Sequence, residues 1–204
     1  MSGDLAAAVD AVRAGDLVVY PTETVYGLGA DAIDPAAVAR VFELKGRSRE
    51  NPLSVGFPSV DAALEHTRPT TREIDFMRAF LPGPVTVIVE RGPRLPDVLT
   101  AGRDRVGVRI PDHDLARALL REAGAVTATS ANVSGRPSVV DPADLDDRIR
   151  EGVAVVLDGG VTPGTESTVV DPGTGEIHRR GAMAGAVRAW LEERPPDERE
   201  SADE

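Results

Sequence analysis

Short apolar runs, each closed by a turn signal, alternate along the chain with segments of helical spacing. That alternation restricts the fold to one in which strands and helices share a core. Residues 17–20, 53–57, 85–90, 106–110, 125–129 and 153–157 read as strands. Helical patterns cover residues 2–14, 35–45, 59–65, 70–80, 112–123, 142–150 and 184–191. Asp34-Pro35 marks a helix start, with an N-cap followed by proline at the first helical position, and Gly15, Gly46 and Gly124 stand where helices stop. Residues 167–171 and 176–180 flank Pro172-Gly173-Thr174-Gly175 and read as a hairpin, whereas residues 21–29 read as a polar loop. The expected architecture is α/β: a single domain, residues 1–192, with a mixed sheet and flanking helices. The charged, proline-containing stretch 193–204 has the composition of a disordered acidic tail.

Several function classes are excluded early. The chain has no cysteine, so disulfides, a thiol nucleophile and thiolate metal sites are ruled out. His66, His113 and His178 lie too far apart in sequence to form a ligand-spaced pair, and no resident metal is expected. No apolar run reaches the roughly 18 residues that span a bilayer, and the N-terminus lacks a signal-peptide pattern, so a cytosolic protein without membrane contact is expected. A net charge of -11 speaks against stable nucleic-acid binding, which needs clustered cations.

The 23 basic residues include a single lysine, Lys45. An acidic chain almost free of lysine suggests a salt-loving source. A lysine that persists in such a composition either sits where only a compact ammonium works or remains by chance on a solvated helix end.

No G-x-x-x-x-G-K-[ST] or G-x-S-x-G occurs, and Gly27-Leu28-Gly29 lacks the third glycine of a dinucleotide fingerprint. Five polar segments remain, each with an ordinary reading beside a functional one. Residues 21–29 crowd two threonines, Glu23 and Tyr26 around glycines that permit close ligand approach, or they form a plain hydroxyl-capped turn. Lys45, Arg47 and Arg49 suit a polyphosphate, or they complement the C-terminal end of a helix. Arg109, inside the apolar run Gly107-Val108-Arg109-Ile110-Pro111, either faces solvent or clamps a carboxylate. Residues 127–138 end a strand in small donors that could hold phosphates or a nucleoside, although such loops are common. Ser167-Thr168 and Arg179-Arg180-Gly181 face each other across the hairpin and are individually unremarkable.

Taken in order, six segments resemble the YrdC-like family of L-threonylcarbamoyladenylate synthases. They are P-T-E-T-V-Y-G-L-G at 21–29, K-G-R followed by N-P-L at 45–53, G-V-R-I-P at 107–111, S-A-N-V-S-G-R-P-S at 130–138, E-S-T-V-V-D at 166–171 and R-R-G-A at 179–182. The resemblance covers nearly the whole chain and implies the family's fold, a single α/β domain with a twisted mixed sheet around a positively charged cavity. It implies threonine contacts at Thr24, Arg109, Ala128 and Ser167, and ATP contacts at Arg47, Asn51, Ser130, Asn132, Ser138 and Arg179. Lys45 with Arg47, and Ser130 with Asn132, match the family's K-x-R and S-x-N signature at the reaction centre.

The implied substrates are L-threonine, bicarbonate and ATP, with Mg2+ held by the nucleotide and the product passing to a tRNA threonylcarbamoyltransferase complex. The chain departs from the family in having Gly56 where some relatives carry a threonine-contacting histidine. It resembles the family's single-domain form rather than the longer relatives. No residue is fixed as the base for the threonine amine; Glu23 is close in sequence. The rival readings are a non-catalytic nucleotide- or RNA-binding relative and a carbamoyltransferase. The latter are longer and carry cysteine-rich zinc fingers.

Overall fold

The computed structural model describes residues 2–195, with side chains from residue 4 onward. Helix α1 (Ser2–Arg13) leads into β1 (Val18–Tyr20) and β2 (Gly27–Gly29), followed by α2 (Pro35–Lys45), β3 (Ser54–Gly56), α3 (Val60–Leu64) and α4 (Thr71–Phe80). Then come β4 (Val85–Glu90), α5 (Asp97–Thr100), β5 (Arg105–Arg109), α6 (Asp114–Ala123) and β6 (Val126–Ser130). A 3-10 turn (Pro142–Asp144), α7 (Asp147–Gly152), β7 (Val155–Val156), β8 (Thr168–Asp171), β9 (Glu176–Arg179) and α8 (Ala184–Glu193) complete the order. Of the tail expected from residue 193, residues 196–204 lie outside the described residues.

Local chemistry explains several boundaries. Asp34 caps α2 by accepting from Ala36 N, and Gly46 ends it in the left-handed conformation at φ 59°. Thr70 and Glu73 form a reciprocal capping box at the start of α4.

Two expectations fail locally. Residues 27–29 form a strand rather than the end of a loop, because their neighbours demand backbone without side chains. A Cβ on Gly27 would lie 2.8 Å from Tyr20 Cζ, and one on Gly29 would lie 2.6 Å from Val126 Cγ1. Pairing with β1 and β6 outweighs glycine's poor strand propensity. The helix expected over 142–150 is broken in two, because Asp141 and Asp146 each cap a separate turn.

The nine strands form one mixed sheet in the order β7-β1-β2-β6-β3-β5-β4-β8-β9. Pairings β1–β7, β3–β5 and β4–β8 are parallel, and the other neighbours run antiparallel. Strand alternation divides the two faces. Val19, Leu28, Val55, Val85, Val87, Val89, Val106, Val108 and Val170 point to the larger core, shared with α2, α4 and α8. On the opposite face α1 and α6 pack over Val18, Tyr20 and Val126 in a second, smaller core. The strands beyond these two helices keep that face open to a cavity.

Phe42, 1% exposed in the larger core, is a test of that packing. Phe42→Ala is expected to lower unfolding free energy by roughly 3–5 kcal/mol, as urea denaturation would read.

Candidate active site

The open half of the sheet face and the loops around it enclose about 370 Å3. Its floor consists of residues two apart on adjacent strands: Arg105, Gly107 and Arg109 on β5, Thr86 and Ile88 on β4, Ala128 and Ser130 on β6, with Ser54, Ser167 and Val169 beside them. The floor is low because its centre is a glycine. A Cβ on Gly107 would sit 2.4 Å from Ser54 Oγ and 3.0 Å from Thr86 Cγ2.

Seven of the eleven residues expected at the site line this cavity: Thr24, Arg47, Arg109, Ala128, Ser130, Ser167 and Arg179. Lys45 and Asn132 lie one layer behind. Lys45 is 1% exposed, and its ammonium donates to the backbone oxygens of Ser130 and Asn132, the latter at 2.7 Å, with Asn132 Oδ1 at 3.4 Å. Its charge therefore reaches the cavity through the Ser130–Asn132 loop. That loop is fixed further where Ser130 Oγ donates to Asn132 Oδ1, Asn132 Nδ2 donates to Arg136 O at 2.6 Å, and Ser134 N donates to Lys45 O at 2.9 Å.

Asn51 and Ser138 fall outside the lining. Asn51 is exposed, and its carbonyl accepts from Arg47 Nε at 3.0 Å; Ser138 Oγ donates to Glu166 Oε1 at 2.9 Å.

Burial pushes the Lys45 ammonium down to about 8, and the neighbouring Arg47 charge pushes the same way. Between that value and the ordinary 10.5, the unfolded chain binds more protons than the folded one. This group therefore adds stability as pH rises through that window and contributes no such gain below it. The Ser130–Asn132 loop loses its cation in the same interval. Any activity that relies on the Lys45 charge is expected to fall above about pH 8 while the stability difference between wild type and Lys45→Met shifts in favour of wild type. A pH–rate profile with matched urea midpoints checks both signs.

Five arginines line the cavity, and their counter-charges differ. Arg105 pairs with Glu73 at 2.8 Å and Asp171 at 2.7 Å. Arg109 pairs with Glu23 at 2.8 Å and donates to the carbonyls of Gly83 and Val85. Arg179 pairs with Glu166 at 3.1 Å and donates to Ser167 Oγ at 2.9 Å. Arg47 and Arg103 contact only carbonyls of the 50–52 segment, and among the described residues neither meets a carboxylate. One end of the cavity thus carries uncompensated positive charge, while Arg109 stands beside its own anion. Glu166 is the single carboxylate in the lining, so the charged lining is mostly cationic, as the resemblance implied.

Sequence reasoning missed Arg103, Arg105 and Glu166. Once Arg109 faces a cavity, strand alternation puts Arg105 on the same face, and that signal was available. The glycine at 56 has a packing counterpart: a Cβ there would lie 3.3 Å from Leu120 Cδ2 and 3.4 Å from Val126 O. Leu120 of α6 fills the place that a longer side chain would need.

With that geometry in place, comparison with known proteins gives a consistent picture. The Sua5/YciO/YrdC family model, described as "Telomere recombination", matches residues 10–181. Threonylcarbamoyl-AMP synthase of Pyrococcus abyssi is 39% identical over 78% of this chain and 48% of its own length. The Bacillus subtilis protein of that name is 42% identical over 81% of this chain and 49% of its own length, and the human one 35% over 93% and 71%. The chain therefore spans about half the length of the first two relatives. The P. abyssi Sua5 structure in complex with L-threonine superposes with a TM-score of 0.81 at 37% identity, covering 87% of this chain and 54% of that one. E. coli YciO does so with a TM-score of 0.82 at 25% identity, covering 89% and 91%.

Proposed function

The chain belongs to the Sua5/YciO/YrdC family, and from that premise we propose that it forms threonylcarbamoyl-AMP and pyrophosphate from L-threonine, bicarbonate and ATP. The observation that carries this reading is one cavity in which Thr24, Arg109, Ala128 and Ser167 share walls with Arg47, Ser130 and Arg179. In this reading an amino acid and a triphosphate lie side by side along those walls.

Threonine binds with its carboxylate on Arg109 and polar contacts from Thr24 and Ser167. Its amine, after releasing a proton, reacts with bicarbonate to give a carbamate and water. A carbamate oxygen then attacks the α-phosphorus, and pyrophosphate leaves. Displacement of this kind needs positioning and charge neutralisation more than a covalent nucleophile. Arg47 and Arg179 neutralise phosphate charge, and Ser130 with Asn132, braced by Lys45, orients the α-phosphate. Asn51 and Ser138 reach the nucleotide from the rim.

Among the described residues no three acidic or histidine side chains converge as a metal cage, and the lining carboxylate Glu166 is held by Arg179 and Ser138. Magnesium fits as an ion carried by the triphosphate's own oxygens, where it neutralises phosphate charge. The product passes to a transferase that modifies tRNA. Among the described residues no helix is long and apolar enough to cross a membrane.

The test is pyrophosphate release from ATP in bicarbonate and magnesium, with and without threonine, at low and high potassium chloride. Threonine-dependent release is expected. Release without an amino acid points to a nucleotide hydrolase. No release with nucleotide binding retained points to a binding protein.

A further inference from the structure

We propose that Glu23 makes the amino-acid end of the cavity selective for zwitterions, acting as a specificity-determining residue through Arg109. This deepens the function proposed above and rests on the assignment of Arg109 to the substrate carboxylate.

Glu23 carries a charge that lies outside the lining but against it. The Arg109 and Glu23 side chains are 8% and 16% exposed, and Nη2 lies 2.8 Å from Oε1. Both Glu23 oxygens and Arg109 Nη2 are fully enclosed, yet they form no directed hydrogen bond with each other or with other described groups. The contact is therefore an ion pair without hydrogen-bond geometry. What holds Arg109 in plane is the pair of carbonyls of Gly83 and Val85, to which Nη1 donates. Glu23 is not needed to orient the guanidinium, so its contribution is charge.

A buried pair of this kind nets to zero where the amino acid binds. A ligand carrying only a carboxylate gains Arg109 but also meets the field of Glu23, paired with that arginine at 2.8 Å, in surroundings where water screens little. A ligand that brings its own ammonium cancels that repulsion. The other end of the cavity behaves differently, because Arg47 and Arg103 contact only carbonyls and remain attractive to anions. Once the amine has become a carbamate, the substrate is a dianion. The neutral end then favours it less than before, because the ammonium that offset the Glu23 charge is gone.

The decisive measurement is a binding ratio. Affinities for L-threonine and for 3-hydroxybutyrate, which lacks only the amine, are measured by titration calorimetry on wild type, Glu23→Gln and Glu23→Asp. Wild type should prefer threonine clearly. Glu23→Gln should narrow the ratio by about ten- to a hundredfold, the scale of one partly screened charge contact, mainly by improving 3-hydroxybutyrate. Glu23→Asp, which keeps the charge, should stay near the wild-type ratio.

An unchanged ratio in Glu23→Gln overturns the proposal, as does an equal loss of both ligands, which would mark Glu23 as merely structural. The wild-type protein provides a reading even if the variants fail to fold: equal binding of the two ligands overturns the proposal. Wild type that binds no threonine overturns the functional reading and this inference with it, an outcome distinct from threonine binding without selectivity.

Discussion

Lys45→Met is expected to remain folded and to lose about a hundredfold or more of threonine-dependent pyrophosphate release, the usual cost of removing one preorganised charged contact. Methionine approximates the lysine stem in a site that is 1% exposed, so the volume is kept. What disappears is the donor that holds the backbone oxygens of Ser130 and Asn132 together. Two buried carbonyls without a partner cost about 1–3 kcal/mol each, partly offset because an ammonium no longer needs desolvation. The loop can relax to recover some of that energy, and relaxation moves Ser130 away from its place in the lining. Lys45→Arg is expected to fail as well, because a planar fork is not a substitute for a compact ammonium in an enclosed site. Wild-type turnover by Lys45→Met would remove this residue from the mechanism.

Gly107→Val is the second substitution with a large expected effect. The cavity floor passes so close under Gly107 that even a Cβ would meet Ser54 Oγ at 2.4 Å and Thr86 Cγ2 at 3.0 Å. A valine must push Ser54 and Thr86 aside and project its methyl groups into the space between Arg105 and Arg109. Overpacking of this kind costs about 1–3 kcal/mol, which a domain of this size tolerates. The loss of cavity volume is the larger effect: threonine and nucleotide binding should both fall below detection in calorimetry while circular dichroism remains native. Unaltered binding of either ligand would show that the cavity floor does not support the substrates.

Fold class, strand positions and most helices were legible because they depend on local pattern. Val85–Glu90 is a run rich in β-branched residues, Asp34-Pro35 is a helix start on chemical grounds, and the 172–175 turn announces its hairpin. The strand at 27–29 was hidden because its reason for being a strand is the Tyr20 ring, which lies across a loop, and the Val126 methyl, which lies far along the chain.

The site divided in the same way. Thr24, Arg109, Ser130, Ser167 and Arg179 could be proposed from motif resemblance, and they meet in one cavity. The direction of the Lys45 ammonium could not be read, since it depends on carbonyls 85 and 87 residues away. Nor could the pairing of Glu23 with Arg109, which joins the loop after β1 to the end of β5.

One strand, β5, sends Val106 and Val108 into the larger core and Arg105 and Arg109 into the cavity. A slip of a single residue in its pairing would exchange the two sets at once, placing guanidiniums among valines at a cost of several kcal/mol per ion. The arginines thus penalise the wrong register of β5, and the pairing that buries the valines is the one that sets the cations over the cleft.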